Sequence, residues 1–376
     1  MKGTRPVFLA VREFRHARLR YILIGAIIAL IAWLVFLLSG LATGLATDNG
    51  ASLMNMEADH LVFQSDVRFF LHRSILPEET VEAVRAVPGV TAAAPLGHLT
   101  VTVTRGADDE KIDATILAID PDSFLAPRIV DGKALSGQPA GSIVANDSLK
   151  RHGVRLGDQL TVSPSGKVLT VVGFTTGQTY NHLPVLFMDI PTWRELKFAA
   201  PGSAGSVVDP ISAVAVKMDE SAAARVQQDV PGVEVATRQV ALENLPGYRE
   251  EMGTITMMLA FLFVIAAFVL AVFFYILTLQ KTNQFGVLKA LGATTGFLAR
   301  DLVAQVLLLT LLGVAAAAGL TYVVAAMIPP EIPFSLDTRL ILTYAVVLVG
   351  VGLLGTLLSL RRIAKIDPLI AIGRVD

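Results

Sequence analysis

Residues 253–297 read GTITMMLAFLFVIAAFVLAVFFYILTLQKTNQFGVLKALGATTGF, and this stretch decides the fold. Its first 27 residues, 253–279, carry no charge and stop at Gln280-Lys281. An apolar run of that length crosses a hydrocarbon core of about 30 Å with some tilt. After the polar break come Gln284 to Thr294, a short amphipathic segment closed by Gly292, and then a second apolar run. So short a helix cannot bury an apolar side alone. It is expected to protrude and dock on another protein, with an interfacial helix lying on lipid as the alternative.

Three further runs, 21–47, 302–330 and 340–360, are also long and uncharged enough to span. A composition of 53% hydrophobic and 17% charged residues, with mean hydropathy +0.61, agrees with a membrane protein. Lys2, Arg5, Arg12, Arg15, Arg18 and Arg20 precede the first run against a single Glu13, and Arg361, Arg362 and Lys365 follow the fourth against Asp367. Positive flanks put both termini in the cytoplasm. Residues 48–252 then lie outside, and they hold 17 Lys and Arg against 26 Asp and Glu, whereas the rest of the chain holds 14 against 6.

The expected fold class is a membrane α-helical protein of four transmembrane helices, N-in and C-in, with an extracytoplasmic α+β domain between helices 1 and 2. In order the segments are a cytoplasmic amphipathic helix (1–20), helix 1 (21–47), the external domain (48–252), helix 2 (253–279), a cytoplasmic coupling loop and helix (280–301), helix 3 (302–330), a short outer loop (331–339), helix 4 (340–360) and a cytoplasmic tail (361–376). A signal peptide competes for the N-terminus, but run 21–47 is about twice the usual ~7–15-residue apolar core, so a retained helix is expected. Gly40 and Gly44 form a small-xxx-small pair that would let two copies of helix 1 approach closely, or they are only the glycines common in spans. Arg12, Arg15 and Arg18, interleaved with Val7, Phe8, Val11, Phe14 and Leu19, suit an inner-interface helix among anionic headgroups rather than nucleic acid.

In the external stretch, Pro77-Glu78-Glu79-Thr80 opens a helix and Pro88-Gly89 ends it. The form Val87-Pro88-Gly89-Val90 returns as Val230-Pro231-Gly232-Val233, so two related helix–strand units are expected. Between them, alternating segments at 141–146, 160–162, 168–174 and 183–188 predict a compact β insertion.

Catalytic chemistry finds no support. The chain has no cysteine, which removes disulfides, CxxC redox chemistry and thiolate metal sites. Its six histidines form no HExxH or i,i+4 pair, so no metal site built by the protein alone is expected. There is neither a GxxxxGK[ST] loop nor a GxSxG elbow. The chain reads as no enzyme itself, and energy must come from a separate subunit.

Four spans, the large domain after the first, the cytoplasmic Gln284-Phe285-Gly286-Val287-Leu288-Lys289-Ala290-Leu291-Gly292-Ala293 and the terminal Ile366-Asp367-Pro368-Leu369-Ile370-Ala371 resemble the FtsX-like, MacB-type (type VII) ABC permeases. The likeness covers essentially the whole chain. Members usually carry an acid where this chain has Gln284. The resemblance implies a homodimer, an ABC ATPase partner in two copies that binds ATP and Mg, and mechanotransmission from those ATPases through helix 2. Phe285, Gly286, Leu288, Lys289, Leu291 and Gly292 would form the ATPase-coupling set.

The smaller, DevC-like permeases related to the haem exporter HrtB are the group the chain most resembles. Haem is then the expected substrate rather than a permanent cofactor, with efflux across the cell membrane. The candidate haem residues are Tyr248, Arg249, Glu250, Glu251, Met252, Met257 and Met258 at the outer start of helix 2, with Met54 and Met56 at the exit of helix 1. Glu250, Thr254 and Met257 share one helical face, and Glu251, Ile255 and Met258 another. Glutamate or methionine would be the axial ligand, Arg249 would meet the propionates, and no histidine is expected at this end. Acids at a helix N-terminus also suit the dipole without any ligand. A non-transporting, FtsX-like permease that activates an extracellular cell-wall hydrolase, or a peptide or lipoprotein exporter, are the alternatives.

Overall fold

The computed structural model describes residues 18–106, 110–199, 205, 207–329 and 332–356. Residues 1–17 of the expected amphipathic helix (1–20) and the expected cytoplasmic tail (361–376) with its Ile366-Asp367-Pro368 motif lie outside them. Among the described residues, helices α1 (Arg18–Asn55), α2 (Glu79–Arg85), α3 (Ile190–Lys197), α4 (Glu220–Asp229), α5 (Arg238–Glu243), α6 (Tyr248–Gln280), α7 (Thr282–Ala290), α8 (Thr295–Ala325) and α9 (Thr338–Gly355) are accompanied by thirteen strands. The chain divides into two compact units, residues 45–251 and residues 1–44 with 252–376.

In the second of these units, α1, α6, α8 and α9 supply the four spans. Tyr21, Ile24 and Ile28 of α1 recur at helical spacing and pack on Leu270, Phe274 and Leu277 of α6 and on Val306 and Leu309 of α8. The caps set boundaries that hydropathy alone misplaces. Thr294 accepts from the Phe297 amide, so α8 begins at Thr295 and carries Arg300 and Asp301 inside it, ahead of the uncharged run at 302. At the other extreme, α1 continues past the expected end at 47 to Asn55, with one non-helical residue at Gly50 (φ −141°, ψ 24°).

The glycine pair of helix 1 has an occupant within its own chain. A Cβ on Gly40 would overlap the Phe334 ring, and one on Gly44 would overlap the Pro333 carbonyl. The Ser335 amide donates to the Gly40 carbonyl at 3.0 Å. Within this chain the two glycines make room for the 333–335 segment, the place the sequence reading gave to a second helix 1.

The external unit is built from strands β1 (His60–Gln64), β2 (Leu76–Pro77), β3 (Val90–Arg105), β4 (Lys111–Ile119), β5 (Ile129–Gly132), β6 (Ser142–Asn146), β7 (Gln159–Ser163), β8 (Lys167–Thr175), β9 (Thr179–Tyr180), β10 (Leu183–Asp189), β11 (Pro210–Ile211), β12 (Ala213–Met218) and β13 (Val233–Thr237). The order β13-β1-β12-β3, with α2 leading into β3 and α4 into β13, is a βαββαβ arrangement. Both Val-Pro-Gly-Val turns are present, with Gly89 at φ 94° and Gly232 at φ 75°, where a side chain would be strained. The inserted strands do not stand apart: β3 continues into them, and the pairings β3-β4-β10-β6-β8-β7 return to β3 and close a ring. One core serves both parts, running from Val62 and Val84 through Val103 and Ile116 to Leu160 and Trp193.

Candidate functional site

Glu251 enters the external unit as part of a side-chain cluster that sequence spacing does not reveal. The β9–β10 hairpin turns through Asn181 and His182, both left-handed (φ 52° and 62°), between the paired Tyr180 and Leu183. Two central residues with positive φ make the tight turn that matches strand twist. The turn is held against the end of α1, because the Asn181 amide donates to the Asn49 carbonyl at 2.6 Å and Thr179 Oγ1 donates to the Thr47 carbonyl at 3.1 Å.

From this anchored tip His182 reaches three side chains. Its Nδ1 lies 2.9 Å from Asp48 Oδ2, and its Nε2 lies 3.2 Å from Asn49 Nδ2 and 3.6 Å from Glu251 Oε2. Asn49 Nδ2 also reaches Glu251 Oε2 at 3.4 Å. A carboxylate only accepts, so Nδ1 donates to Asp48, and the Nε2 side of the ring faces the Asn49 amide and the Glu251 carboxylate. The side chains of His182, Asp48 and Glu251 keep 40%, 34% and 25% of their surface exposed. The expectation that no histidine stands at this end therefore fails, because a strand hairpin returns His182 to Glu251 across 69 positions of sequence.

The other expected residues are divided. Met54 borders a hollow of about 340 Å³ with Asp59, Thr237 and Arg238, whereas Met56 lines a different one of about 330 Å³ beside Phe124 and Phe187. On α6, Ile255 and Leu259 are buried while Met257 and Met258 are about half exposed. The face with Glu250, Thr254 and Met257 is thus open along its length, but the expected second face is split between buried Ile255 and exposed Met258. Arg249 is exposed, Tyr248 is buried and Met252 is half-buried.

At the coupling segment, Phe285 does not present itself for docking. It is buried with Leu298 and Leu302 of α8, and Leu288 packs partly on the same cluster. Gly286 is buried, Lys289 is half-buried, and Leu291 and Gly292, at φ 95°, remain exposed with Val287. Burial of the Phe285 ring against Leu298 and Leu302 anchors α7 to α8.

Lys281, which reads in sequence as the polar end of a span, is also buried. Its Nζ donates to Tyr21 Oη at 3.2 Å and to Gln305 Oε1 at 3.1 Å, and Gln305 Nε2 donates to Asp301 Oδ2 at 2.8 Å. All four side chains belong to residues less than a tenth exposed. A buried cation is tolerable only with such partners.

Elsewhere in the external unit, burial drives the His98 pKa down to about 3, helped by the nearby Lys197 charge, and lowers Lys197 to about 8. Among the described residues no group of three or more His, Asp and Glu side chains forms a metal-binding cluster.

Comparison with known proteins gives this architecture its context. A sequence model of the FtsX-like permease C-terminal domain matches residues 256–368. A hemin transport system permease protein HrtB of Staphylococcus epidermidis (strain ATCC 12228) is 30% identical over 365 residues, covering 97% of this chain and 99% of that one. The protein of the same name in Staphylococcus haemolyticus is 29% identical over 368 residues, covering 98% and 99%. An uncharacterized ABC transporter permease of Mycobacterium tuberculosis is 24% identical over 370 residues. Among solved structures, the periplasmic region of MacB from Actinobacillus actinomycetemcomitans aligns with 50% of this chain and 94% of its own, at 13% identity and a TM-score of 0.37. With four spans and a large external domain after the first, the chain belongs to the FtsX-like permease family and is the membrane-embedded permease of an ABC transporter.

Proposed function

We propose that this permease exports haem, or a similarly flat amphipathic molecule, taken from the outer part of the membrane. The observation that carries the reading is the near-full-length likeness to the hemin transport permeases, joined to an acidic and imidazole-bearing cluster around Glu251. Haem is an apolar plate with two carboxylates and an iron that takes side-chain ligands. The start of α6 offers matching groups: open Met257 and Met258 thioethers, Glu250 and Glu251, and an exposed Arg249.

Work is supplied by a separate ABC ATPase. In this reading two copies of the permease and two ATPases assemble, ATP and Mg reside on the ATPase, and the stroke passes through α7 into α6. An uninterrupted helix of 33 residues is a stiff element for transmitting such a displacement. Leu291 and Val287 supply the exposed apolar contacts for the ATPase, while Phe285 makes α7 move with α8.

A haem titration of the purified full chain in detergent, followed at the Soret band, tests the substrate. Saturable binding, weakened in at least one of Glu250→Ala, Glu251→Ala, Met252→Ala and Met257→Ala, is expected. A nonsaturating rise that is identical in all four variants would sink the haem reading.

A further inference from the structure

We propose that the external unit holds a ligand site of its own, for a small amphipathic carboxylate, in the hollow of about 330 Å³ that Met56 borders. The site is independent of the haem reading above. A cavity of about 150 Å³ holds benzene, so this one takes an apolar body of about two rings and excludes a tetrapyrrole.

The floor follows from strand alternation. Ile116 and Ala118 of β4 and Leu186 and Met188 of β10 belong to the core, so Leu117, Ile119 and Phe187, which alternate with them, face the other way. Register sets them beside Leu96 of β3, since Phe187 pairs with Leu117 and Ile119 with Leu96. All four line the hollow and are buried, although they stand outside that core. Close-packed interiors leave few voids larger than a water molecule, and an apolar hollow of this volume with a few polar groups is the usual form of a small-molecule site. Its far wall is already fixed. Lys217 Nζ stands 4.8 Å from the centre of the Phe124 ring and bonds Glu57 Oε2 at 2.9 Å, and Thr175 Oγ1 ties down the loop after β4 by donating to the Arg128 carbonyl at 2.8 Å.

Two polar groups in the lining define what the occupant carries. Ser52, near the end of α1, is 3% exposed, and its Oγ has no hydrogen-bond partner among the described residues. A buried hydroxyl left unpaired costs stability that a bound acceptor restores. Arg128 is exposed and makes no ion pair among the described residues, whereas Glu57, the other charged residue of the lining, is neutralised by Lys217. The uncompensated charge is therefore positive. An apolar body with one carboxylate suits both groups, the hydroxyl donating a hydrogen bond and the guanidinium meeting the negative charge.

Naphthalene-2-carboxylate has this size and charge, and naphthalene-2-carboxamide is its neutral counterpart. The full chain in phosphatidylcholine nanodiscs is titrated with each by calorimetry, with empty nanodiscs as the blank, and unfolding is recorded beside it. The expected result is saturable binding of the carboxylate at about one per chain, with the carboxamide weaker by about tenfold or more. Arg128→Gln should weaken the carboxylate by about 10–100-fold and leave the carboxamide unchanged. Ser52→Ala should weaken both compounds at an unchanged or raised unfolding midpoint, because the hydroxyl has no partner in the protein to lose. Absence of saturable carboxylate binding by the wild type overturns the site. Equal affinity for the two compounds, or wild-type affinity in Arg128→Gln, overturns its assignment to an anion.

Discussion

His98 makes the external domain sensitive to acid. Its ring is buried, tilted at 52° to Tyr180 with centroids 4.9 Å apart, and its Nε2 has no hydrogen-bond partner among the described residues. Burial lowers its pKa from 6.5 to about 3, so between those values the unfolded chain binds a proton that the folded chain refuses. Stability is therefore complete above pH 6.5 and is lost as pH falls toward 3. The loss from this group between pH 7 and 4.5 is on the order of 2–3 kcal/mol. In His98→Phe the fall in thermal midpoint over that interval should be smaller, since an apolar ring replaces an unpartnered nitrogen. A second change at this scale concerns the buried set around Lys281. Gln305→Leu takes one acceptor from Lys281 and one donor from Asp301, and should lower stability by about 1–3 kcal/mol in a detergent melt. Neither group was readable from spacing. Glu251 was legible because an acid beside an apolar run marks its end, but His182 and Gln305 meet their partners only through a hairpin and a neighbouring helix. Lys281 reads as a terminus because composition registers a charge and not its neighbours.

Elements are better written in the sequence than their edges or their partners. Apolar length gave all four spans, since a bilayer leaves helices few alternatives. The ends follow Thr294 and Asp337, whose side chains accept from Phe297 and Arg339 amides, and those signals are one residue wide. The two Val-Pro-Gly-Val turns marked the repeated helix–strand units correctly, yet the inserted strands share β3 with them, and a shared strand has no punctuation to announce it. The glycine pair shows the limit most clearly: small residues say that something approaches, not what. Gly40→Val should cost about 1–3 kcal/mol by overlap with Phe334. Combined with Phe334→Ala it should cost less than the two separate losses added together, a coupling that a double-mutant cycle measures. On α7 the exposed and buried apolar residues should part company. Leu291→Asp should reduce ATPase activity in the assembled complex with the permease melt unchanged, whereas Phe285→Ala should lower the melt itself by about 3–5 kcal/mol.

Across the whole molecule, charge and hydropathy agree on which parts face which side. A chain without cysteine allows this to be read directly. Single cysteines at exposed Asp122 and Asn283 should react with a membrane-impermeant maleimide from opposite faces, the first in intact cells and the second only after the membrane is opened. Labelling of Asn283→Cys in intact cells would reverse the orientation.

The topology of the external sheet also dictates an order of events during synthesis. Strand β1 pairs with residues 214–216 on one edge and 233–237 on the other, so neither neighbour exists until well over a hundred further residues have crossed the membrane. Contacts this distant in sequence pay their loop-closure entropy late and form slowly. The inserted ring has nearer partners, β4 beside β3 and β8 beside β7, and can assemble while the chain is still arriving. His60–Gln64 must wait unpaired at the membrane surface until the last strand emerges, which makes that short segment the point in biogenesis most dependent on protection by chaperones outside the membrane.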